Sequence, residues 1–599
     1  MSMPDGPAPA SGASADPADE EVAAGSHAAE AATVPQASGA RPGSAALLVA
    51  VGIFASRVIG LVRDRAIGYY FGVGAHADVY RLGLRAPNLL QNLLGEGTLS
   101  ASFIPIYSRL LAEGRREDAG RFAGAVFGLL AAAASALALA GVLLAAPFVA
   151  LISPGWLADA EAVAAGTMTL DRYALGVRVV QLAFPMTAVF VLSAWALGVL
   201  NSHRRFLLAY LAPVLWNAAI LAALFGAVAL ETGGLRLPGG LAAGALADVQ
   251  TRLLVAVFAG GVAGGVLQFG VQLPVVLRLL RGFRVSLSTR VVGVREGLRA
   301  FVPVVLGRGA YQLSGYLDTF LAGFLAAGAL AALGAAQTLY VLPVSLFAMS
   351  VAASELPELS RISQGELEAF LARVRRSLAQ ILYLIVPTTV GYFAFGYLVV
   401  GTLYQTGAFG AEATWLVYLV LAGYTLGMAA TTSGRLLQNA FYALGDTRTP
   451  ARIAVWRVVV SGAAGAALML LADRYSVGLL VGLPAAGTDG LRLGALGLAL
   501  GSAVGAWVEL WRLLAALRRH APGFSVPWGR ALRMAGLALA AAAPAAGVFW
   551  AMPDGLPVWL VGGAVLGVYG AGYLALGHVL GFAEGEAWTG RFLRRRART

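Results

Sequence analysis

The chain has 599 residues, of which 59% are hydrophobic and 12% are charged, and its formal net charge is +12 at pH 7. So much apolar surface exceeds what one soluble core can bury, which indicates a polytopic membrane protein. Cysteine is absent, so disulfides, thiolate catalysis and cysteine-bound metal or iron–sulfur clusters are excluded. The five histidines are scattered along the chain and form no ligand cluster.

Residues 1–44 differ in composition from everything that follows. They are rich in Ala, Pro, Gly and Ser and carry six acidic residues against the single Arg41. This composition predicts a disordered cytoplasmic tail. A cleaved signal peptide would require a basic start followed by an apolar stretch, and the tail has neither.

Apolar runs of about 20 residues or more recur from Ala45 to Phe582, and each is long enough to cross roughly 30 Å of hydrocarbon as a helix. They predict an all-α protein with about fourteen transmembrane helices. Arginines concentrate in every second connection, as at Arg115, Arg116, Arg204, Arg205, Arg375 and Arg376. The positive-inside rule then places both termini in the cytoplasm.

A short internal repeat indicates how these spans are organised. The pattern Pro-x-x-Ser-Arg in FIPIYSRL (Phe103 to Leu110) recurs 252 residues later in ELPELSRI (Glu355 to Ile362). Repeated halves with a site at their interface are a common transporter architecture, so we expect two pseudo-symmetric lobes. The predicted divisions are the tail 1–44, an N-terminal lobe 45–285 with six helices, a C-terminal lobe 286–520 with six more, and a last helix pair with a basic C-terminus at 521–599.

Polar residues recur at steps of three or four along the second predicted span, which places them on one helical face. This stripe comprises Asp78, Arg81, Arg85, Asn88, Asn92 and Glu96. A charged residue at mid-bilayer costs about 2.5 to 3.5 kcal/mol even on a lenient insertion scale. We therefore expect the stripe to face a water-filled cavity or other charges.

Spans one, seven and ten have similar features. Their polar residues include Arg57, Arg63 and Asp64 in span one, Arg308, Gln312 and Asp318 in span seven, and Arg435 in span ten. Because deep arginines outnumber deep acids, these residues predict a central cationic cavity that fits an anionic ligand, and guanidinium groups suit phosphate in particular.

The structural alternative is that these charges only pair with one another. Arg57 and Asp64 are seven residues apart and share a helical face, whereas Arg63 points elsewhere, which favours a pair of Arg57 with Asp64. Asp78 would then pair with Arg81 or Arg85.

The stretch from Ser56 to Ser108, which begins SRVIGLVRDR and contains RAPNLLQNLLGEG, resembles the opening of the MurJ (MviN) lipid II flippase family of the MOP exporter superfamily. FYALGDTRTP from Phe441 to Pro450 resembles a further family segment. The resemblance spans about Ala45 to Phe582. It implies two lobes around a V-shaped cavity in the bacterial cytoplasmic membrane. It also implies transport of the undecaprenyl-diphosphate-linked peptidoglycan precursor to the outer leaflet by alternating access.

The resemblance also implies site residues. The family's cavity arginines on the first helix match Arg57 and Arg63. Its basic positions before Pro-Asn-Leu-Leu and in the tenth helix match Arg85 and Arg435, and its acid-glycine pair matches Glu96 and Gly97. Many members carry two arginines where this chain has Gln91 and Asn92, and several carry an arginine where it has Thr338, so Arg81 and Arg308 are candidates to replace them. The predicted headgroup site comprises Arg57, Arg63, Arg81, Arg85, Asn88, Glu96, Arg308, Gln312 and Arg435. Structural or ion-binding roles are predicted for Asp64, Asp78 and Asp318.

The expected partners are lipid II and membrane lipids, without nucleic acid, and the expected state is a monomer without a cofactor. Either sodium, for which Asp318 is the candidate ligand, or the membrane potential would drive the cycle. One alternative is a MOP-type exporter of another polyprenyl-diphosphate-linked glycan or of a drug. The other is an enzyme acting on polyprenyl phosphates, which would need carboxylates or a metal near the interface. The deep acids are few and dispersed, so the chain is predicted not to be an enzyme.

Overall fold

The computed structural model describes residues 42–237, 242–348, 367–482, 490–553 and 555–582, together with residues 355, 358, 359, 361 and 584. Residues 1–41 of the predicted tail and the arginine-rich end of the chain after residue 584 lie outside these ranges. The first helix begins at Pro42, so residues 42–44 are helical and do not belong to the predicted tail.

The described residues are almost entirely helical, which confirms the all-α prediction. The first half contains α1 (Pro42–Phe71), α2 (Ala75–Leu94), α3 (Glu96–Ser102), α4 (Ile104–Ala112), α5 (Arg116–Leu143), α6 (Ala145–Ile152), a 3₁₀ turn (Pro154–Ala158), α7 (Asp159–Ala164), α8 (Arg172–Ser202), α9 (Phe206–Thr232) and α10 (Ala243–Leu279). The second half contains α11 (Val294–Ala322), α12 (Ala329–Pro343) with a π-helical turn (Val344–Ala348), α13 (Leu367–Tyr404), α14 (Ala411–Leu426), α15 (Met428–Ala443), α16 (Arg448–Ala472), α17 (Val477–Val481), α18 (Gly494–His520), α19 (Trp528–Ala551) and α20 (Val558–Val579).

Ten helices in the described ranges are long and apolar enough to cross a membrane, and the pair α14 and α15, bent by 40°, makes an eleventh if it is one span. The segments with the predicted polar faces, α1, α2 to α4, and α11, are not among them. Counting these three gives the predicted fourteen, which remains a prediction.

The helices pack in two groups. In the first group, α8 contacts α2, α5 and α10, and α9 contacts α1 and α10. In the second group, α18 contacts α14, α15 and α16, and α13 contacts α14, α19 and α20. The tight α16–α18 contact depends on glycine, because a Cβ atom on Gly501 would overlap the backbone of Gly465, and small residues let membrane helices approach closely.

Helix α11 joins the two groups, since it packs more extensively on α2 and α3 than on any helix of its own half. The helix bundle has two ends, here called outer and inner. The outer end holds the connections 72–74, 323–328 and 405–410, and the inner end holds the connections 113–115 and 203–205. The positive-inside rule predicts that the inner end is cytoplasmic.

Candidate functional site

Arg57 lies between the two helix groups. Its guanidinium Nη1 donates to the hydroxyl of Ser345, on the π-helical turn after α12, with an N–O distance of 3.4 Å. This distance is at the long end for a hydrogen bond, and the Arg57 side chain is exposed. The guanidinium therefore keeps donors that a ligand entering between the groups can use.

A compact charge cluster lies further along α1. Arg63 donates to Asp64 Oδ1 through Nε (3.1 Å) and Nη2 (2.8 Å), and to Asn217 Oδ1 on α9 through Nη1 (2.9 Å). The Nη1 atom of Arg81 on α2 lies 4.0 Å from Asp64 Oδ2. Two guanidinium groups thus share one buried carboxylate, which leaves an excess positive charge at this level of the bundle.

The predicted pairing of Arg57 with Asp64 is wrong, because Arg63 is the partner. Helical-wheel geometry separates consecutive residues, but the long arginine side chain can turn back. Asn217 and the ring of Trp216, whose centroid is 5.2 Å from the Arg63 Cζ atom, hold the guanidinium in this direction.

This cluster borders a small cavity of about 20 Å³ between the helix groups. The first group contributes Asp64, Tyr80 and Arg81 to the lining. The second group contributes Ala335 and Tyr404, among others. The cations therefore adjoin the surface along which the two groups meet, where the sequence predicted a central site.

Asp78 closes the outer end above this cavity. Its Oδ2 and Oδ1 atoms accept hydrogen bonds from the backbone N–H groups of Gly328 and Ala331, both at 2.7 Å. The carboxylate thus satisfies two of the unpaired donors at the start of α12 and complements the positive end of the helix dipole. The predicted pairing of Asp78 with Arg81 or Arg85 is wrong, because its arginine neighbour is Arg172, 3.6 Å away.

Two further contacts join the groups at the outer end. Arg65 Nη1 donates to the carbonyl oxygens of Thr402 (2.9 Å) and Leu403 (3.3 Å) at the C-terminal end of α13. The N–H of Ala408 donates to the carbonyl of Tyr69 (2.8 Å). The two helix groups are therefore in contact at the outer end.

A second buried charge cluster lies within the second group. Glu509 on α18, which is 2% exposed, accepts from Arg457 Nη1 on α16 and from Gln438 Nε2 on α15, both at 2.7 Å. Asp318 on α11 lies within the electrostatic reach of Arg457 and of Arg85. Sequence reasoning missed Arg457, Glu509 and Arg172, although Arg457 and Glu509 are charged residues inside otherwise apolar runs.

Comparison with known proteins identifies the family. Residues 67–570 match the family model described as "Lipid II flippase MurJ", which is more than half of the chain. The chain belongs to the MurJ family. It is 29% identical to a probable lipid II flippase MurJ of Rhizobium tropici over 475 residues, 78% of this chain and 79% of that protein. It is 28% identical to the lipid II flippase MurJ of Burkholderia cenocepacia over 414 residues, 68% of this chain and 74% of that protein.

Solved structures support the fold. The structure described as lipid II flippase MurJ in an inward closed conformation matches with a TM-score of 0.64 and 20% identity, over 89% of this chain and 99% of that one. An inward-facing MATE family transporter of the MOP superfamily matches with a TM-score of 0.55 and 13% identity, over 80% of this chain and 99% of that one. The MurJ family consists of membrane transporters rather than enzymes, and this chain is a multi-pass inner-membrane protein.

The MurJ family positions at which this chain departs can now be placed. Thr338, where the resemblance implies an arginine in several members, donates its hydroxyl to the carbonyl of Gly334 within α12 (2.9 Å). Arg81, a candidate replacement, packs its guanidinium end against Gly334 from the other helix group. The other candidate, Arg308, has a side chain outside the described part of the structure.

The remaining predicted site residues, Arg85, Asn88, Glu96, Gln312 and Arg435, lie on α2, α3, α11 and α15. Asn88 on α2 is exposed and Arg435 on α15 is half-buried. The side chains of Glu96 and Gln312 lie outside the described part. Within the described ranges, no three acidic or histidine residues are placed so that they could hold a metal ion. The headgroup roles of all these residues remain predictions.

Proposed function

We propose that this chain is a lipid II flippase that carries the undecaprenyl-diphosphate-linked precursor from the inner to the outer leaflet, in support of cell-wall synthesis. Its membership of the MurJ family supports this function. The single structural observation that carries it is the excess of positive charge around Asp64, where Arg63 and Arg81 share one carboxylate beside the surface between the helix groups.

The arginines differ in how they would meet the diphosphate. Arg57 has an exposed guanidinium with one long hydrogen bond to Ser345, so it would bind phosphate oxygens directly. Arg63 is anchored by Asp64 and Asn217 and would contribute mainly through its charge. A guanidinium group binds phosphate through two parallel, charge-assisted hydrogen bonds, a geometry that an ammonium group cannot reproduce.

The contacts between the helix groups fit a conformation that is closed at the outer end. At the outer end Asp78, Arg65 and Tyr69 all contact the second group. If the inner end is cytoplasmic, as predicted, release on the far side requires these contacts to break while the helix groups rock apart. The polyprenyl tail would stay in lipid beside α13, α19 and α20, where apolar side chains such as Leu539 and Trp550 are exposed.

The driving force that we propose is the membrane potential rather than sodium. Asp318 is the predicted sodium ligand, but the cations Arg85 and Arg457 already act on it electrostatically. An anionic cargo moving outward across an inside-negative membrane gains about 2.3 kcal/mol per charge for every 100 mV. We further propose that one chain, without a cofactor, performs the cycle.

Complementation tests this function directly. The chain would be expressed in cells from which the resident lipid II flippase is depleted, and the leaflet distribution of lipid II would be measured. Wild-type protein is expected to restore lipid II in the outer leaflet. If a well-folded protein reaches the membrane but does not restore lipid II in the outer leaflet, the cargo assignment is refuted. A different polyprenyl-diphosphate-linked glycan would then be favoured, and the replacement of two family arginines by Gln91 and Asn92 would help to explain it.

A further inference from the structure

The outer end contains a buried ion cluster with no part in the predicted headgroup site. Arg172, at the start of α8, donates two side-chain hydrogen bonds to Asp159, from Nε to Oδ2 (2.6 Å) and from Nη2 to Oδ1 (3.0 Å). The backbone N–H of Arg172 also donates to Asp159 Oδ2 at 3.2 Å. Both residues are at most 5% exposed. Such a doubly bonded pair fixes the position of the guanidinium.

The remaining nitrogen of this guanidinium faces the contact between the helix groups. Arg172 Nη1 lies 3.6 Å from Asp78 Oδ2 and 3.4 Å from the carbonyl oxygen of Leu325, in the connection before α12. The ring of Trp156 lies against the other side of the guanidinium, 5.2 Å from its Cζ atom. Arg172 is therefore held by Asp159 and Trp156 at a point where it contacts the carboxylate that caps α12.

We propose that Arg172 is a positioning residue for closure of the outer end. It keeps the Asp78 carboxylate oriented to accept hydrogen bonds from the N–H groups of Gly328 and Ala331. Asp159 in turn keeps Arg172 in place. The three residues act in series, from Asp159 through Arg172 to Asp78. The proposal rests on the proposed function only in that closure of this end belongs to a transport cycle.

The direction of the effect follows from charge and hydration. Asp78 and Asp159 are both buried while the outer end is closed, and Arg172 is the cation between them. Without Arg172, two carboxylates would be buried without a neighbouring cation, which is costly in a dry environment and much less so in water. Opening the outer end brings water to Asp78. Loss of Arg172 therefore destabilises the closed conformation more than the open one.

The absence of cysteine from the chain permits a direct test by single-cysteine labelling. Ala335, which lines the small cavity between the groups and is 4% exposed, would be changed to Cys as the reporter. A membrane-impermeant maleimide would be added from the outer side. The change Ala165→Cys, at an exposed position in the α7–α8 connection, supplies a control that is labelled in every variant.

The change Arg172→Ala is expected to raise the labelling rate at position 335 by roughly tenfold, in line with the loss of contacts to a charged group. Arg172→Lys keeps the positive charge but loses the planar guanidinium that forms two hydrogen bonds with Asp159. It is expected to raise the labelling rate by less. Asp159→Asn alone is expected to raise the labelling rate in the same direction, because Asp159 holds Arg172 in place. In an Asp78→Asn background, Arg172→Ala is expected to have little further effect.

Two results would overturn the proposal. One is unchanged labelling at position 335 in folded Arg172→Ala and Arg172→Lys proteins. The other is an equal increase with and without Asp78→Asn, which would mean that Arg172 does not act through Asp78. Membrane level and thermal unfolding verify folding, and Arg172→Lys carries the test if Arg172→Ala does not fold. None of these readouts involves cargo, so failure of lipid II complementation would leave the result intact.

Discussion

Asp64 accepts both hydrogen bonds from Arg63 on the same oxygen, Oδ1, although the two residues are consecutive in α1. Their side chains leave an ideal helix about 100° apart, so the pair forms only because Arg63 folds back. The third guanidinium nitrogen of Arg63, Nη1, donates to Asn217. Arg63 is therefore anchored before any cargo arrives, whereas Arg57, two turns earlier, is exposed and has one long hydrogen bond to Ser345.

This difference predicts that Arg57 contributes to transport and little to stability. Arg57→Ala is expected to lower lipid II flipping by at least roughly tenfold, because a charge-assisted hydrogen bond is worth about 1.5 to 3 kcal/mol. Membrane level and Tm should stay at wild-type values. Arg57→Lys should recover only part of the activity, since lysine lacks the planar fork.

The measurement is the outer-leaflet fraction of lipid II in depleted cells. Arg121→Ala provides the matched control, because Arg121 is an exposed arginine on α5 that contacts Glu117 and Asp118. Full rescue by Arg57→Ala would remove Arg57 from the headgroup site.

Asp64 is expected to behave in the opposite way, as a stabilising residue. Asp64→Asn leaves Arg63 and Arg81 without their shared carboxylate. Breaking a buried pair by removing one partner typically costs about 3 to 5 kcal/mol. We expect a Tm several degrees below wild type for the detergent-solubilised protein.

Asp118→Asn is the control for this change, because the exposed pairs of Asp118 with Arg115 and Arg121 should be worth about 1 kcal/mol or less. An equal loss of Tm in the two variants would show that the cluster around Asp64 has no special importance for stability.

The sequence predicted the fold class and the arginine-bearing polar face of α2, because both follow from properties of single helices. The apolar runs define helices, and the periodic spacing of Arg81 and Arg85 on α2 defines a polar face. The partners of these residues could not be predicted in the same way. Whether Asp64 bonds Arg57 or Arg63 depends on Asn217 and Trp216, which belong to another helix.

The same reason explains the missed residues. Asp78 caps the start of α12, which is about 250 residues away in sequence, and Arg172 reaches it from α8. Glu509 and Arg457 stand singly in apolar runs, so no periodic pattern marks them. Their significance arises only where α15, α16 and α18 meet.

The Arg457 cluster leads to a prediction about ions. In the wild-type protein the guanidinium of Arg457 supplies a positive charge to Glu509 and Asp318, so sodium should not change Tm, and flipping should persist when potassium replaces sodium. Arg457→Ala leaves the two carboxylates without this cation, and sodium is then expected to raise Tm, since an ion that binds only the folded state stabilises it.

Tm would be measured over a sodium titration at constant ionic strength. Arg452→Ala, an exposed position on the same helix α16, is the control and should not respond to sodium. A saturable rise in the Tm of the wild-type protein would contradict the prediction and restore sodium as the coupling ion. Collapse of the membrane potential should slow flipping in either case if the cargo crosses as an anion.

The predicted topology can be tested with a matched pair of single cysteines. Ala112, at the end of α4, and Ala165, in the α7–α8 connection, are both exposed alanines at opposite ends of the bundle. The arginines near Ala112 place its end in the cytoplasm by the positive-inside rule. In intact spheroplasts an impermeant maleimide should therefore label Ala165→Cys within minutes, whereas Ala112→Cys should react only after the membrane is broken. Labelling of Ala112→Cys in intact spheroplasts would show that the topology is the reverse of the predicted one. The Asp78 contact would then lie on the cytoplasmic side.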